Sequence, residues 1–254
     1  MAFYSYTPCD ALKPYVQHLA ISETVNESTY KVLPGTGLVI GFQYKGRLSL
    51  IENGKLTPLD TSGITGLHDS YRMFSNSAGM GTVLVYFKEA GAPAFFNQPI
   101  HELFRESVSL DNFMLRSELL IIEERLCAAN TPMEKIAVVE QFLSSRLKKP
   151  EQDKLVLAAL ALIHASKGTI KIKELSKRLH ISQSPLEKRF RQAVGTSPKK
   201  FASVVRLKQA IHSFSPKHSL TSLGYEAGFY DQAHFIKEFK HFTGETPEAF
   251  FAQP

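Results

Sequence analysis

From Gly168 to Phe250 the chain states one pattern twice. The first copy is anchored by Ser182, Leu186, Phe190, Gly195, Pro198 and Phe201. The second is anchored by Asp231, Phe235, Phe239, Gly244, Pro247 and Phe250, each 49 residues after its counterpart. A repeat at a fixed offset constrains the fold before local propensities do, because both copies must adopt one supersecondary unit. Ser182 and Asp231 are helix N-cap types, able to accept a bond from a free amide of the first turn. Ser184-Pro-Leu-Glu187 offers a second, competing start for the first helix as a capping box. The i,i+4 pairs Leu186/Phe190 and Phe235/Phe239 give each helix one buried stripe and one polar face. Gly195 and Gly244 fall where a helix ends in a left-handed residue, with Pro198 and Pro247 just beyond. Short helical patterns precede each copy: Ile172, Leu175 and Leu179, then Leu220, Leu223 and Ala227. A short helix, a tight turn and a capped helix with a polar outer face make a helix-turn-helix. The sequence predicts two, joined by one helix from Ser197 to Phe214.

The second helix of such a motif presents its exposed N-terminal half to base edges in the major groove. On the first, Gln183, Ser184, Glu187, Lys188 and Arg191 face outward; on the second, Gln232, Ala233, His234 and Lys237, with Lys240 further along. Gln can pair with adenine and Lys can reach guanine acceptors. Lys199, Lys200, Arg206, Lys208 and Lys240 are candidates for phosphate contacts. Each of these alone reads equally well as a solvated helix face; the set, on two equivalent faces, favours the groove. If the motifs share one face, they would meet successive major grooves about 34 Å apart.

Charge divides in the same sense. Residues 1–150 hold 14 Lys and Arg against 15 Asp and Glu, and residues 151–254 hold 16 against 9. A basic half beside a near-neutral one points to a polyanionic partner for the basic half. No apolar run approaches the length of a membrane span, and the first residues have neither the basic region nor the apolar stretch of a signal peptide, so a cytoplasmic protein is expected. Cys9 and Cys127 are too few and too far apart for a disulfide framework or a cysteine metal site.

Before about Leu110 the pattern is strand and turn. Leu38 to Tyr44, Arg47 to Ile51 and Thr82 to Phe87 are β-branched and aromatic, and Asn53-Gly54 is a strong hairpin signal. Gly35-Thr-Gly37 and Gly41 depart from a dinucleotide loop, because the third glycine is one position late and a strand follows. His68, Asp69 and His101 lack metal-ligand spacing. Short helices are expected at Ala92 to Phe96 and after Pro99. From Asn112 to Ala129 the period becomes helical, with Leu115, Leu119, Ile122 and Leu126 as its stripe. Thr131-Pro132 starts a second helix carrying Ile136, Val139, Phe142 and Leu143. This pair reads equally as a dimer interface (residues 112–145) or as a cover for the β domain. Lys148 to Gln152 marks a boundary, and an apolar helix from Asp153 to His164 opens the basic half.

Ile172 to Leu175, Ser182/Leu186/Phe190, Gly195-Thr-Ser-Pro198, Arg206, Gly228 to Lys240 and Thr243-Gly-Glu-Thr-Pro247 resemble the AraC/XylS-type transcription regulators. Ile64 to Leu67, Tyr86 to Phe96 and Glu102-Leu-Phe104 are similar to a β-rich regulatory domain of one branch of that family. The resemblance implies a sequence-specific DNA-binding regulator, often an activator that touches RNA polymerase, whose N-terminal domain senses a small-molecule effector or a partner. Carried over residue by residue, base-reading positions fall on Ser184, Glu187, Lys188, Gln232, Ala233, His234 and Lys237.

The expected fold class is α+β. A small antiparallel β domain, a sandwich or barrel, spans residues 1–110; a helical connector spans 111–149; and an all-α DNA-binding domain with two helix-turn-helix motifs spans 150–254. Double-stranded DNA is the expected partner, with no membrane, cofactor, metal or catalytic residue. The competing readings are an N-terminal enzyme, for which no nucleophile elbow or phosphate loop is present, and an N-terminal interaction or dimerisation module without a ligand.

Overall fold

The computed structural model describes residues 2–148, 152–215 and 220–252. The N-terminal strands form two antiparallel sheets. The first, in the order β1 (Ala2–Tyr6), β2 (Val16–Glu23), β9 (Gly81–Phe87), β4 (Val39–Lys45), β7 (Ser62–Thr65) and β10 (Ser107–Ser109), has six strands. The second, β3 (Ser28–Val32), β8 (Arg72–Asn76), β5 (Leu48–Glu52) and β6 (Lys55–Pro58), has four. β5 and β6 close through Asn53 and Gly54, both at positive φ (51° and 75°), as a two-residue primed turn requires. Lys45-Gly46 also turns, but it carries the chain from one sheet to the other rather than closing a hairpin.

Side-chain alternation decides what each face of the larger sheet meets. Ile40 and Phe42 of β4 lie opposite Val85 and Val83 of β9, all buried on one face. That face is covered by α1 (Arg116–Ala128) and α2 (Pro132–Arg146), with Phe42 edge-on to Phe142 at 5.7 Å. α2 starts at the expected Thr131-Pro132, where Thr131 and Glu134 form a capping box. α1 starts later than its periodicity suggests. Residues Leu110–Asn112 make a 3-10 turn capped by Ser109, and Leu115 sits at the N-cap with extended backbone, 69% exposed instead of within the stripe. The other face of the larger sheet, with Val39, Leu84 and Tyr86, looks toward the four-stranded sheet across a cavity.

The C-terminal half contains α3 (Lys154–Ala165), α4 (Ile172–Arg178), α5 (Gln183–Val194), α6 (Pro198–Ser213), α7 (Leu220–Glu226), α8 (Gln232–Thr243) and α9 (Pro247–Phe251). The expected boundary at 149/150 lies outside the described residues. The core is split elsewhere. Leu186, Phe190, Val194 and Phe201 share one buried cluster with Ile40, Phe42 and Leu119. Val204, Leu207, Leu223, Phe229, Phe235, Phe239 and Phe242 form a second.

Candidate nucleic-acid interface

The two motifs are α4–α5 and α7–α8. Gly195 (φ 95°) and Gly244 (φ 85°) are left-handed C-caps of α5 and α8, a conformation without steric cost only for glycine. Ser197 and Thr246 then cap α6 and α9, so each copy ends in the same corner. The N-termini differ. Asp231 accepts from the His234 amide at 2.7 Å, whereas Ser182 occupies the N-cap of α5 without a side-chain bond to the helix. The alternative start at Ser184 is not used, and Glu187 accepts from Arg191 instead, at 2.8 Å.

The turns differ by one residue, which the 49-residue offset conceals. The Ile181 amide donates to the Ser176 carbonyl and the Phe229 amide to the Gly224 carbonyl, so these positions correspond at an offset of 48. His180 (φ 50°) and Gly228 (φ 74°) are the matching left-handed residues. Between Phe229 and the Asp231 cap stands an extra residue, Tyr230, 88% exposed at the mouth of α8. The readable signal was the slip from 48 between the first helices to 49 between the second.

Gln183, Ser184, Glu187, Lys188 and Arg191 are exposed on α5, and Gln232, Ala233, His234, Lys237 and Lys240 on α8, around the buried pairs Leu186/Phe190 and Phe235/Phe239. Their engagement is unequal. Arg191 is tied to Glu187, and the neighbouring Arg189 forks onto Asp153, the cap of α3, at 2.7 and 3.0 Å. Lys188 therefore dominates the positive charge of the first face. On α8, Gln232 accepts from Thr221 at 3.3 Å, and Lys237 and Lys240 make no ion pair among the described residues.

Four of the five lysines and arginines expected at phosphates are exposed as that reading requires: Lys199, Lys200, Lys208 and Lys240. Arg206 and Lys200 each have partners within the protein. The Arg206 guanidinium lies 4.0 Å over the Phe229 ring, half-buried, with its Nε unpartnered. Burial pushes its pKa down against the charge of Glu238. Lys200 lies 4.2 Å over Phe104 and 3.4 Å from Asp69, both in the β half. Periodicity placed both side chains on α6 correctly, but it carries no information about the β half that packs against them. Arg206 also lines a groove of about 730 Å³ between the motifs, together with Lys171, Lys199, His234 and His241.

Asp69 enters that groove from the β half. Arg105 forks onto it at 2.7 and 2.9 Å, and His241 Nε2 lies 3.9 Å away. Burial pushes the Asp69 carboxyl up, but the hydrogen bonds and charges of Arg105 and Lys200 outweigh it and hold the carboxyl below its ordinary value. Lys31 pairs with Glu245, and the Tyr71 ring lies against Gly244. His68 is buried and bonded to the Ser70 carbonyl at 2.8 Å, and among the described residues no group of His, Cys, Asp and Glu could hold a metal ion. No helix among the described residues is long and apolar enough to cross a membrane.

A family model described as a helix-turn-helix domain matches residues 175–253, and one described as a domain of unknown function (DUF6597) matches residues 4–109. The Msm operon regulatory protein of Streptococcus mutans serotype c is 27% identical over 153 residues, 59% of this chain and 55% of that protein. An uncharacterized HTH-type transcriptional regulator of Staphylococcus aureus (strain MSSA476) is 24% identical over 248 residues, 90% of this chain and 33% of that protein. The chain thus spans about half the length of the first relative and a third of the second. The crystal structure of ToxT from Vibrio cholerae O395 covers 98% of this chain and 97% of its own at 12% identity, with a TM-score of 0.46. The helix-turn-helix match runs from within α4 to the end of α9, taking in the second motif, most of the first and the helix between them, and there the chain is similar to AraC/XylS-type transcription regulators.

Proposed function

We propose that the chain is a sequence-specific transcription regulator that lays α5 and α8 in two successive major grooves, about 34 Å apart along the duplex. The observation that carries this is the paired motif itself: two equivalently terminated helices, each with its apolar stripe buried and its polar face exposed. Residues 150–254 bind DNA, residues 1–110 respond to an effector and residues 111–149 connect them. Gln183, Ser184, Glu187, Lys188, Gln232, Ala233, His234 and Lys237 face bases, while Arg191, Lys199 and Lys240 face phosphates. Tyr230, placed where the chain enters the groove, adds a contact to the sugar-phosphate backbone. The protein works in the cytoplasm as an activator in contact with RNA polymerase.

Selection of bound sequences from random DNA with the full chain is the test. A recovered motif with two half-sites one helical turn apart is the expected result; no enriched sequence would sink the proposal. Transcription with purified polymerase on the recovered site then reads the sign, and a fall in transcript would remove the activator role.

A second reading of the N-terminal half is favoured by one observation. Leu120, Ile121 and Met133 are exposed on the helices that cover the sheet. In this reading they pair two copies of the chain. Sizing of the intact protein beside Ile121→Asp decides it, because a wild-type monomer at working concentration removes the dimer.

A further inference from the structure

Between the two sheets lies a cavity of about 560 Å³. Tyr30, Leu50 and Phe74 from the smaller sheet and Val39, Leu84 and Tyr86 from the larger make its wall mostly apolar and aromatic. Arg72 is the exception. It opens β8 on the same inward side as Phe74, only 8% exposed. Its guanidinium donates to neutral acceptors: Nη1 to Ser107 Oγ at 2.7 Å and Nη2 to the Arg105 carbonyl. Among the described residues it makes no ion pair; Glu52 and Glu106 act on it through their charge alone, and burial pushes its pKa down against them. Glu52, Asp60 and Glu106 also border the cavity but are exposed, where solvent screens them.

A charge taken out of water is costly unless a counter-charge meets it. The guanidinium fork matches a carboxylate in two parallel bonds better than any neutral acceptor. The same side chain touches a chain of contacts that leaves the cavity. Arg105, whose carbonyl accepts from Arg72, forks onto Asp69, and Asp69 faces Lys200 at the start of α6 and His241 in α8. Arg105 holds a left-handed backbone (φ 68°), a conformation that a side chain other than glycine adopts at some cost.

We infer that the inter-sheet cavity takes a ligand with an apolar or aromatic body and a carboxylate gripped by Arg72, and that its binding reaches the second helix-turn-helix motif, and the helix α6 that joins it to the first, through Arg105 and Asp69. The inference rests on the regulator reading and names the chemical class of its effector. Occupancy draws the guanidinium toward the ligand, away from the Arg105 carbonyl, which frees Arg105 to shift its hold on Asp69. A ligand moves such an equilibrium only by its differential affinity for the two arrangements.

The probes are 4-phenylbutyrate and its neutral counterpart 4-phenylbutan-1-ol, titrated calorimetrically into the full chain. The acid should bind at least about tenfold tighter, the least that a charge-assisted bond pair contributes. Arg72→Gln should erase that preference and Arg72→Lys, which keeps the charge without the fork, restore part of it, with circular dichroism confirming that both variants fold. Equal binding of acid and alcohol, no binding of the acid, or an Arg72→Gln protein that keeps the preference would overturn the site. For the route, the acid should change the DNA affinity of the full chain by about fivefold or more, and Asp69→Asn should abolish the change. Acid bound without any change in DNA affinity overturns the route. Sequence-specific DNA binding with no acid present reports the regulator reading separately, so the two can fail independently.

Discussion

Behind α5, the side chains of Leu186, Phe190 and Val194 belong to the same buried cluster as Ile40 and Val85 of the larger sheet, whereas behind α8, Phe235, Phe239 and Phe242 close a separate cluster with Leu223 and Phe229. The two motifs are near-copies in sequence and unequal in support. The first is continuous with the β half through close-packed apolar contacts, which transmit displacement stiffly. The second meets the β half through Leu33, the Tyr71 ring against Gly244, the Lys31–Glu245 pair and the longer Asp69–His241 approach. Partly exposed ion pairs of this kind are weak, on the order of 1 kcal/mol or less. The quantity that the β half can adjust is therefore the placement of the second motif relative to the first.

Equivalent substitutions test this contrast, beginning with the largest effect. Phe190→Ala and Phe239→Ala each remove a fully buried ring and should each cost ~3–5 kcal/mol in unfolding experiments. Hydrogen exchange separates them: the first should weaken protection of the β4 and β9 amides, and the second should leave it intact. Equal loss of sheet protection in both would break the contrast. On DNA, Lys237→Ala should cost ~1–3 kcal/mol at one base position and relax preference there. Lys199→Ala should instead lower the salt slope by about 1, and Lys200→Ala, held on Asp69 and Phe104, should leave the slope alone. A slope that falls equally for both lysines would place Lys200 on the phosphates after all.

At the helix starts, Asp231→Ala should cost ~1 kcal/mol, the usual loss for a bonded cap. Ser182→Ala should be nearly silent, because its hydroxyl makes no bond to α5. Thermal unfolding of the two variants side by side decides this, and a Ser182→Ala loss as large as that of Asp231→Ala would contradict the difference. The smallest effect is that of pH. Burial, with Arg72 adding to it, holds His68 below its ordinary pKa of 6.5 against the Ser70 carbonyl. The unfolded chain then binds the proton more readily, so this contribution to stability is complete above pH 6.5 and is lost as pH falls through the folded-state value. His68→Gln should flatten that limb of the stability curve; an unchanged limb would assign it to another group.

Much of the helical half was legible because its signals are local. The left-handed glycines, the prolines after them and the i,i+4 apolar pairs each specify a backbone state within a few residues, and Gly195, Gly244 and α6 stand where these signals put them. What escaped depends on partners distant in sequence or on exact register. Arg206 and Lys200 lie on the expected helix, but the rings beneath them belong to Phe229 and Phe104. Leu115 fits the apolar period of α1, yet a 3-10 turn upstream delays the helix and leaves that side chain in solvent. Tyr230 is hidden by any alignment that allows only one offset. The strands at Val39–Lys45 and Gly81–Phe87 were visible from composition, whereas their pairing within one sheet, the second sheet and the cavity between the two sheets came only from the structure.

The helix α6 divides its own residues between the two clusters. Phe201, Ala202 and Val205 belong to the larger, and Val204, Leu207 and Ala210 to the smaller. It is thus a party wall, and the natural seam of the molecule runs along that helix instead of between strands and helices. Anyone dissecting the protein should expect a cut near residue 150 to strip α5 of the turn at Ile100–Leu103 that packs against it and leave a sticky fragment. A truncation after α6 would instead spare the larger core and bare only the Val204 side of the wall.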